Sequence, residues 1–324
     1  MLRADHMNVL VTGGAGYIGS VVAARLLGAG HAVTVVDDLS TGHRDAVPDG
    51  ARFVPGKVQQ VSSTLDLPAY DGVVHLAASS LVAESITDPQ KYETNNVAGT
   101  RQLLEALCGA GVPKIVFSSS AAVYGEPARV PIEEDAPTEP LNPYGASKLA
   151  VDRMLDEEAA RHGIAAVSLR YFNVAGSHAT FGERHDPETH LIPLTLRAAL
   201  EGRPVDVFGD DYPTPDGTCI RDYIHVIDIA DAHLLALGAA APGTWRAYNL
   251  GNGEGFSVRQ VIAAARSVTG LQLSERVTAR RAGDPAVLVA SSARARRELS
   301  WTPGAPTLEG MVDDAWRYLQ RSQK

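Results

Sequence analysis

Two cysteines in 324 residues, Cys108 and Cys219, have neither the paired spacing of a zinc site nor the density of a disulfide framework. The chain is therefore expected to work in a reducing, cytoplasmic compartment and to hold no metal. Excess basic charge is also missing: 38 acidic residues against 29 basic ones leave a net charge of −9, which repels a phosphate backbone and an anionic lipid surface. Neither nucleic acid nor membrane is an expected partner. No apolar run approaches the ~20 residues that span a bilayer, and no charged segment with an apolar core opens the chain. Internal repeats and low-complexity tracts are absent. What remains is ordinary globular composition, 45% hydrophobic and 21% charged, at a length that suggests about two domains. Residues 1–6, polar and followed by a second methionine at Met7, read as a cloning remnant, and the fold is taken to start at Met7.

From Asn8 to Thr12 the chain reads as an apolar strand, breaks into Gly13-Gly14-Ala15-Gly16-Tyr17-Ile18-Gly19, and resumes with helical spacing through Val22, Leu26 and Leu27. A second strand, Ala32 to Val36, ends on Asp37-Asp38, completing one βαβ unit. Strand-like runs at Gly72 to Leu76, Lys114 to Ser118 and Ala165 to Arg170 alternate with helical stretches, including Tyr144 to Arg161. Such alternation predicts an α/β fold with a doubly wound parallel sheet, a Rossmann architecture, because parallel strands need long right-handed crossovers. Residues 7–175 are expected to form a dinucleotide-binding domain, rejoined by about 220–238. After Gly176 prolines interrupt shorter elements, so 176–219 and 239–324 are expected to form a smaller, mixed α/β substrate domain.

The glycine turn lets the backbone approach a pyrophosphate closely while the following helix presents unpaired N–H groups to its charge. Asp37, 24 positions beyond Gly13, can accept from a ribose 2′-hydroxyl and would repel a 2′-phosphate, which favours NAD; Asp38 is the alternative ligand. Tyr144 and Lys148, four apart on a predicted helix, share a face, and a nearby cation is expected to pull the phenol pKa down toward the working pH, making Tyr144 a general base. Ser118-Ser119-Ser120 closes a strand at the sheet edge where ligands bind, so the Ser120 hydroxyl can hydrogen-bond a reacting alcohol and pass its proton on.

These motifs, with Asn95-Asn96-Val97, Val123-Tyr124-Gly125, Arg170-Tyr171-Phe172-Asn173, Phe208 to Thr214, Arg221 to Val226, Tyr248 to Gly251 and Arg280-Arg281 with Gly283-Asp284, make nearly all of the chain from Met7 resemble the extended short-chain dehydrogenase/reductase family, and within it the UDP-glucose (UDP-galactose) 4-epimerases. The resemblance implies reversible C4 inversion of a UDP-hexose through a 4-keto intermediate, with hydride lent to bound NAD. It gives Tyr144 the acid/base role, lets Lys148 hold the nicotinamide ribose, and sets Ser120 on the sugar 4-hydroxyl. Gly13, Gly16, Tyr17, Ile18, Gly19, Asp37, Asp38, Asn95 and Tyr171 are the further implied cofactor contacts. Phe172, Asn173, His190, Leu191, Phe208, Arg221, Arg281, Asp284 and Leu288 are the implied substrate contacts, Asn173, Arg221 and Arg281 at the diphosphate, Asp284 at the uridine ribose, Leu191 and Phe208 at uracil. A homodimer, through helices near Asp88 to Ala110 and Tyr144 to Arg161, is also implied.

Three positions depart from the family pattern: Lys57 where an acidic residue usually faces the adenine amine, Ser80 where a lysine often approaches the cofactor, and His190 where an asparagine can sit near the diphosphate. Among rival readings, a nucleotide-sugar 4,6-dehydratase would need an acidic pair beside the serine, where this chain has Ala121-Ala122. A UDP-glucuronate decarboxylase would want a basic group at the sugar C6, and a catalytically silent NAD sensor would have no reason to keep Ser120, Tyr144 and Lys148 together.

Overall fold

The alternation of apolar strands and helices is carried through in the structure, a computed structural model that describes residues 6–281, 284–304 and 307–322. Residues 1–5 of the leader, and Gly283 of one quoted motif, lie outside the described residues. The chain forms β1 (Asn8–Thr12), β2 (Ala32–Asp37), β3 (Arg52–Pro55), β4 (Gly72–His75), β5 (Lys114–Ser120) and β6 (Ala165–Tyr171), then the shorter β7 (Asn173–Ala175), β8 (Val205–Phe208) and β9 (Ile220–His225). β10 (Trp245–Leu250), β11 (Gly255–Ser257), β12 (Glu275–Thr278) and β13 (Val287–Leu288) follow. Seven of these form one sheet in the order β3-β2-β1-β4-β5-β6-β10, with every neighbouring pair parallel. The strand order reverses between β1 and β4, and the crevice at their carboxyl ends is where such sheets take ligands.

Each face of this sheet carries its own core. On one face Val21, Val22 and Leu26 of the Tyr17–Gly28 helix pack with Ile229 and Leu237 of the Val226–Ala239 helix. On the other, Leu103, Leu104 and Leu107 of the Gly99–Ala110 helix meet Val151 and Leu155 of the Pro143–His162 helix. Each such fully buried side chain contributes roughly 1.5–3 kcal/mol of transfer free energy, which is why the strands between the layers are nearly continuous apolar runs.

β7, β11 and β13 pair with β9 in a second sheet, and β8 pairs with β12. Helices Leu191–Glu201, Val258–Thr269 and Leu308–Ser322 cover these strands around Ile192, Leu196, Val261 and Trp316. The expected return of 220–238 to the first domain divides in the structure. Strand 220–225 belongs to the small sheet, helix 226–239 packs on the large one, and the large sheet gains its last strand from β10, in the segment expected to be substrate domain. β10 was hard to read because its sequence, Trp-Arg-Ala-Tyr-Asn-Leu, mixes polar with apolar residues. Asn249 is fully buried there because Tyr124 donates to its Oδ1 at 2.7 Å and its Nδ2 donates to the Ile132 carbonyl at 2.9 Å.

Candidate active site

At the carboxyl end of β1 the chain must turn sharply and stay thin. Gly13 sits at φ +74°, and a Cβ there would stand 2.5 Å from the Ala77 nitrogen; a Cβ on Gly19 would meet the Gly13 carbonyl oxygen at 2.1 Å. The Tyr17–Gly28 helix that follows has no side-chain N-cap and no acidic residue in its first turn, so the positive end of its dipole is left for an anion. Gly16 is its N-cap, and the Tyr17 hydroxyl donates to the Gly176 carbonyl at 2.7 Å, tying the turn to the segment after β7. Ile18 is half-buried.

Asp37 ends β2 almost completely buried. Its Oδ2 accepts from the Ala15 N–H at 3.0 Å and its Oδ1 from the Leu39 N–H at 2.9 Å. Burial pushes its pKa up and these two bonds pull it back. Asp38 is exposed and accepts from the Ser40 N–H, so of the two carboxylates it is Asp37 that is built into the glycine turn. Lys57 and Ser80 are both exposed.

The second cluster is set by the Pro143–His162 helix. Asn142 caps it, its side chain accepting from the Gly145 N–H at 2.8 Å, and Pro143 opens it, which fixes Tyr144 in the first turn. Lys148, one turn on, is 3% exposed; its Nζ donates to the Ser118 carbonyl at 2.6 Å and lies 4.8 Å from the Phe117 ring centre. Ser120 stands at the end of β5, beside Tyr171 in register, with its Oγ accepting from the Ala122 N–H at 3.1 Å. The Tyr92 and Tyr144 rings meet edge to face at 6.4 Å, and Tyr92 donates to the Leu81 carbonyl at 2.6 Å.

The electrostatics of this cluster correct one expectation. The Tyr144 pKa stands above its ordinary value because burial outweighs the hydrogen bond with Ser120 that lowers it. Lys148 does not reverse this in the free chain: its charge is 5.8 Å from the ring centre and is itself costly to bury, which brings its own pKa down to about 8.

Around these residues lie supports that the sequence reading missed. Asp152, one more turn along the same helix face, pairs with Arg170 at 2.9 Å, and both are almost completely buried. The spacing of four that relates Tyr144 to Lys148 continues to Asp152 and is the signal in the sequence that points to it. His75 bridges Thr12 at 2.7 Å and Thr100 at 2.9 Å, a neutral imidazole whose pKa burial lowers to about 3. Asn96 accepts from the Ser79 N–H at 2.8 Å and donates to the Ser147 hydroxyl at 3.0 Å, joining the loop after β4 to the Tyr144 helix; Asn95 donates to Ser79 Oγ at 3.2 Å. Asn95 and Asn96 lie in a six-residue π-helical turn, Glu93–Ala98, a distortion often found at functional sites.

The third cluster belongs to the small sheet. Arg221 on β9 pairs with Asp284 and donates to the Ile220 carbonyl at 2.7 Å. The Arg281 guanidinium lies over the Phe208 ring, 3.8 Å from its centre. Leu288, opposite Arg221 in the β9–β13 register, packs on Val123, Tyr124, Leu149 and Phe172, so one residue joins the arginine cluster to the Ser120–Tyr144 side. Asn173 is half-buried on β7, opposite Tyr223. Tyr171 is turned into the core, its hydroxyl 2.7 Å from His233 Nε2. His190 stands at the N-cap position of the Leu191–Glu201 helix without a side-chain capping bond, and half-buried Leu191 packs on the small-sheet core.

The glycine cradle, the free helix end and Asp37 together fit a dinucleotide, with Lys148 deep in the same crevice. Residues 9–251 match the NAD dependent epimerase/dehydratase family. The chain is 55% identical to a UDP-glucose 4-epimerase of Streptomyces lividans, covering 95% of both chains, and 52% identical to one of Corynebacterium glutamicum, covering 96% of this chain and 95% of that one. A crystal structure of UDP-glucose 4-epimerase from Brucella ovis in complex with NAD superposes with a TM-score of 0.91 at 44% identity, over 96% of this chain and 98% of that one. By sequence, fold and the construction of its crevice, the chain belongs to the NAD dependent epimerase/dehydratase family.

Proposed function

We propose that the chain catalyses the reversible C4 epimerisation of a UDP-hexose, UDP-glucose to UDP-galactose, with NAD held in the crevice. The observation that carries this reading is the convergence of Ser120, Tyr144 and Lys148 at the carboxyl edge of a parallel sheet, joined through Leu288 to a cluster of two arginines and an aromatic ring. The relatives named above support it.

Gly13, Gly16 and Gly19 leave room for the pyrophosphate, the Tyr17–Gly28 helix faces its charge, Asp37 takes the adenosine ribose hydroxyls, and Lys148 and Tyr144 hold the nicotinamide ribose. When bound, the nicotinamide supplies a place to store one hydride and return it. Tyr144 removes the 4-hydroxyl proton directly or through Ser120, with which it is hydrogen-bonded, and returns it after the 4-keto sugar has presented its other face. Arg221 and Arg281 suit a diphosphate because the guanidinium fork donates two parallel bonds to oxyanions, and an anchored nucleotide leaves the hexose free to turn. Ala121 and Ala122, in the short turn capped by Ser120, supply no carboxylate for dehydration. The reading includes a cytoplasmic homodimer: Cys108 and Cys219 are free thiols, and Val82 and Ile86 are exposed apolar residues at 44% and 65%, near the helices expected to pair.

The test is to incubate purified protein with UDP-galactose, add no NAD, and follow C4 inversion by NMR while quantifying nucleotide released on denaturation. UDP-glucose formation with about one NAD per chain supports the reading. A 4-keto-6-deoxy product would replace it with a dehydratase, and no conversion with NAD supplied would end it. Sedimentation equilibrium reads the dimer independently.

A further inference from the structure

We propose that Glu183, His185, Glu188 and His190 form a closed binding site for one divalent cation, with zinc the ion their donor set fits best. The four come from a single segment, Glu-Arg-His-Asp-Pro-Glu-Thr-His, between β7 and the Leu191–Glu201 helix. One donor atom from each lies within 4.8 Å of the other three. His190 Nδ1 is 2.7 Å from Glu183 Oε1 and 2.8 Å from Glu188 Oε1, and His185 Nδ1 is 2.9 Å from the same Glu183 oxygen.

Two facts separate this cluster from a solvated group of charges. The carboxylates are withdrawn from water, with side chains 8% and 1% exposed, and among the described residues they form no salt bridge to lysine or arginine; histidines are their cationic partners. Two buried anions side by side need a compensating charge, which imidazole protons supply in the free chain and a dication would supply in one place by displacing them from His185 and His190. Independently, Glu188 Oε2 is buried with no hydrogen-bond partner among the described residues, while Oε1 of the same side chain accepts from the Thr189 and His190 N–H groups and faces His190 Nδ1. That Oε2 is an acceptor with no donor among the described residues.

Two imidazole nitrogens and two carboxylate oxygens are a zinc-type donor set. Ligand atoms around a tetrahedral zinc stand ~3.4 Å apart, from metal–ligand bonds of about 2.1 Å. The distances among the four donor atoms, 2.7 Å at the closest and none above 4.8 Å, bracket that spacing. With four protein ligands no position is left open for substrate, which marks the site as structural. It would clamp the segment after β7 onto the helix that Leu191 opens, beside the substrate cluster. Cysteine spacing alone carries the expectation of no metal, and a histidine–glutamate cluster lies outside what that spacing tests.

The test uses full-length protein purified without chelator or metal-affinity resin, with bound metals measured by plasma mass spectrometry. The protein is then stripped with dipicolinate and titrated with zinc chloride, following heat release and thermal unfolding. Expected are saturation at one zinc per chain and a rise in Tm on the order of 5 °C at 100-fold excess over Kd. His185→Asn, at a partly exposed position, should fold normally yet bind zinc at least 100-fold more weakly and lose the Tm response; Glu188→Gln should do the same. Substoichiometric uptake at saturation, or a His185→Asn protein that binds zinc as tightly as the unsubstituted one, overturns the site.

Discussion

The ammonium of Lys148 stands 5.8 Å from the centre of the Tyr144 ring, one turn along the same helix, and spends a hydrogen bond on the Ser118 carbonyl rather than on the phenol. The tyrosine's pKa is set by burial, which raises it, and by its interaction with Ser120, which lowers it, while the lysine is held apart on the Ser118 carbonyl. The two residues fail differently when changed.

Tyr144→Phe keeps the ring and its edge contact with Tyr92 but loses the hydroxyl. Turnover of UDP-galactose should fall about 100-fold or more, the usual contribution of a positioned acid/base, with little change in melting temperature. Retention of activity within tenfold of the unsubstituted protein would remove Tyr144 from the chemistry.

Lys148→Met should inactivate the enzyme and stabilise it. Burial lowers the lysine pKa to about 8 from an unfolded value near 10.5, so below pH 8 the folded chain carries a buried charge that the unfolded chain exposes to water. Removing it should gain on the order of 1–3 kcal/mol at pH 7, the loss of the bond to Ser118 offsetting part. Because the unfolded state holds the proton between pH 8 and 10.5 and the folded state does not, the parent gains stability over that window. The advantage of Lys148→Met should shrink there. Urea unfolding of both proteins without NAD, at pH 7 and pH 10, measures it.

Arg170→Met should be among the most destabilising single changes. It leaves Asp152 buried without its guanidinium partner, at a cost of about 3–5 kcal/mol, whereas Arg170→Met with Asp152→Leu should recover part of the loss because the carboxylate goes with its partner and only Lys148, whose charge Asp152 also favours, is left without it. Urea midpoints of the single and double variants decide it; equal loss in both would show that packing, not charge, sets the cost.

We propose that Leu288, an implied substrate contact, acts as a size gate at the hexose C2 substituent. Its side chain packs against Phe172 and Tyr124 and carries no rigid ring to crowd an N-acetyl group, so UDP-N-acetylglucosamine should be turned over at a measurable but reduced rate. Leu288→Tyr should depress kcat/KM for that substrate selectively, tenfold for each ~1.4 kcal/mol of clash. Equal loss for both sugars would mean general disruption, and no turnover of the N-acetyl substrate by the unsubstituted protein would end the gate.

The parallel sheet, the glycine turn, and the Tyr144–Lys148 pair could be read from residue order because each is local. A period of two or of four, a strand end and a positive-φ glycine are decided within a few residues of themselves. Asp37 was legible for the same reason, as the last residue of its strand.

What tertiary structure decided is everything that depends on distance through space. β10 joins the large sheet because Asn249 and Arg246 are flanked there by partners from β6 and the segment around Ile132, and nothing within Trp245–Leu250 announces it. The Asp152–Arg170 pair, the burial that holds Tyr144 above and Lys148 below their ordinary pKa values, and the meeting of Phe208 with Arg281 all arise when segments distant in sequence, such as the 18 residues between Asp152 and Arg170 or the 73 between Phe208 and Arg281, are folded together. Residue order says which groups exist; the low dielectric of a packed interior says what they cost and which of them hold a proton.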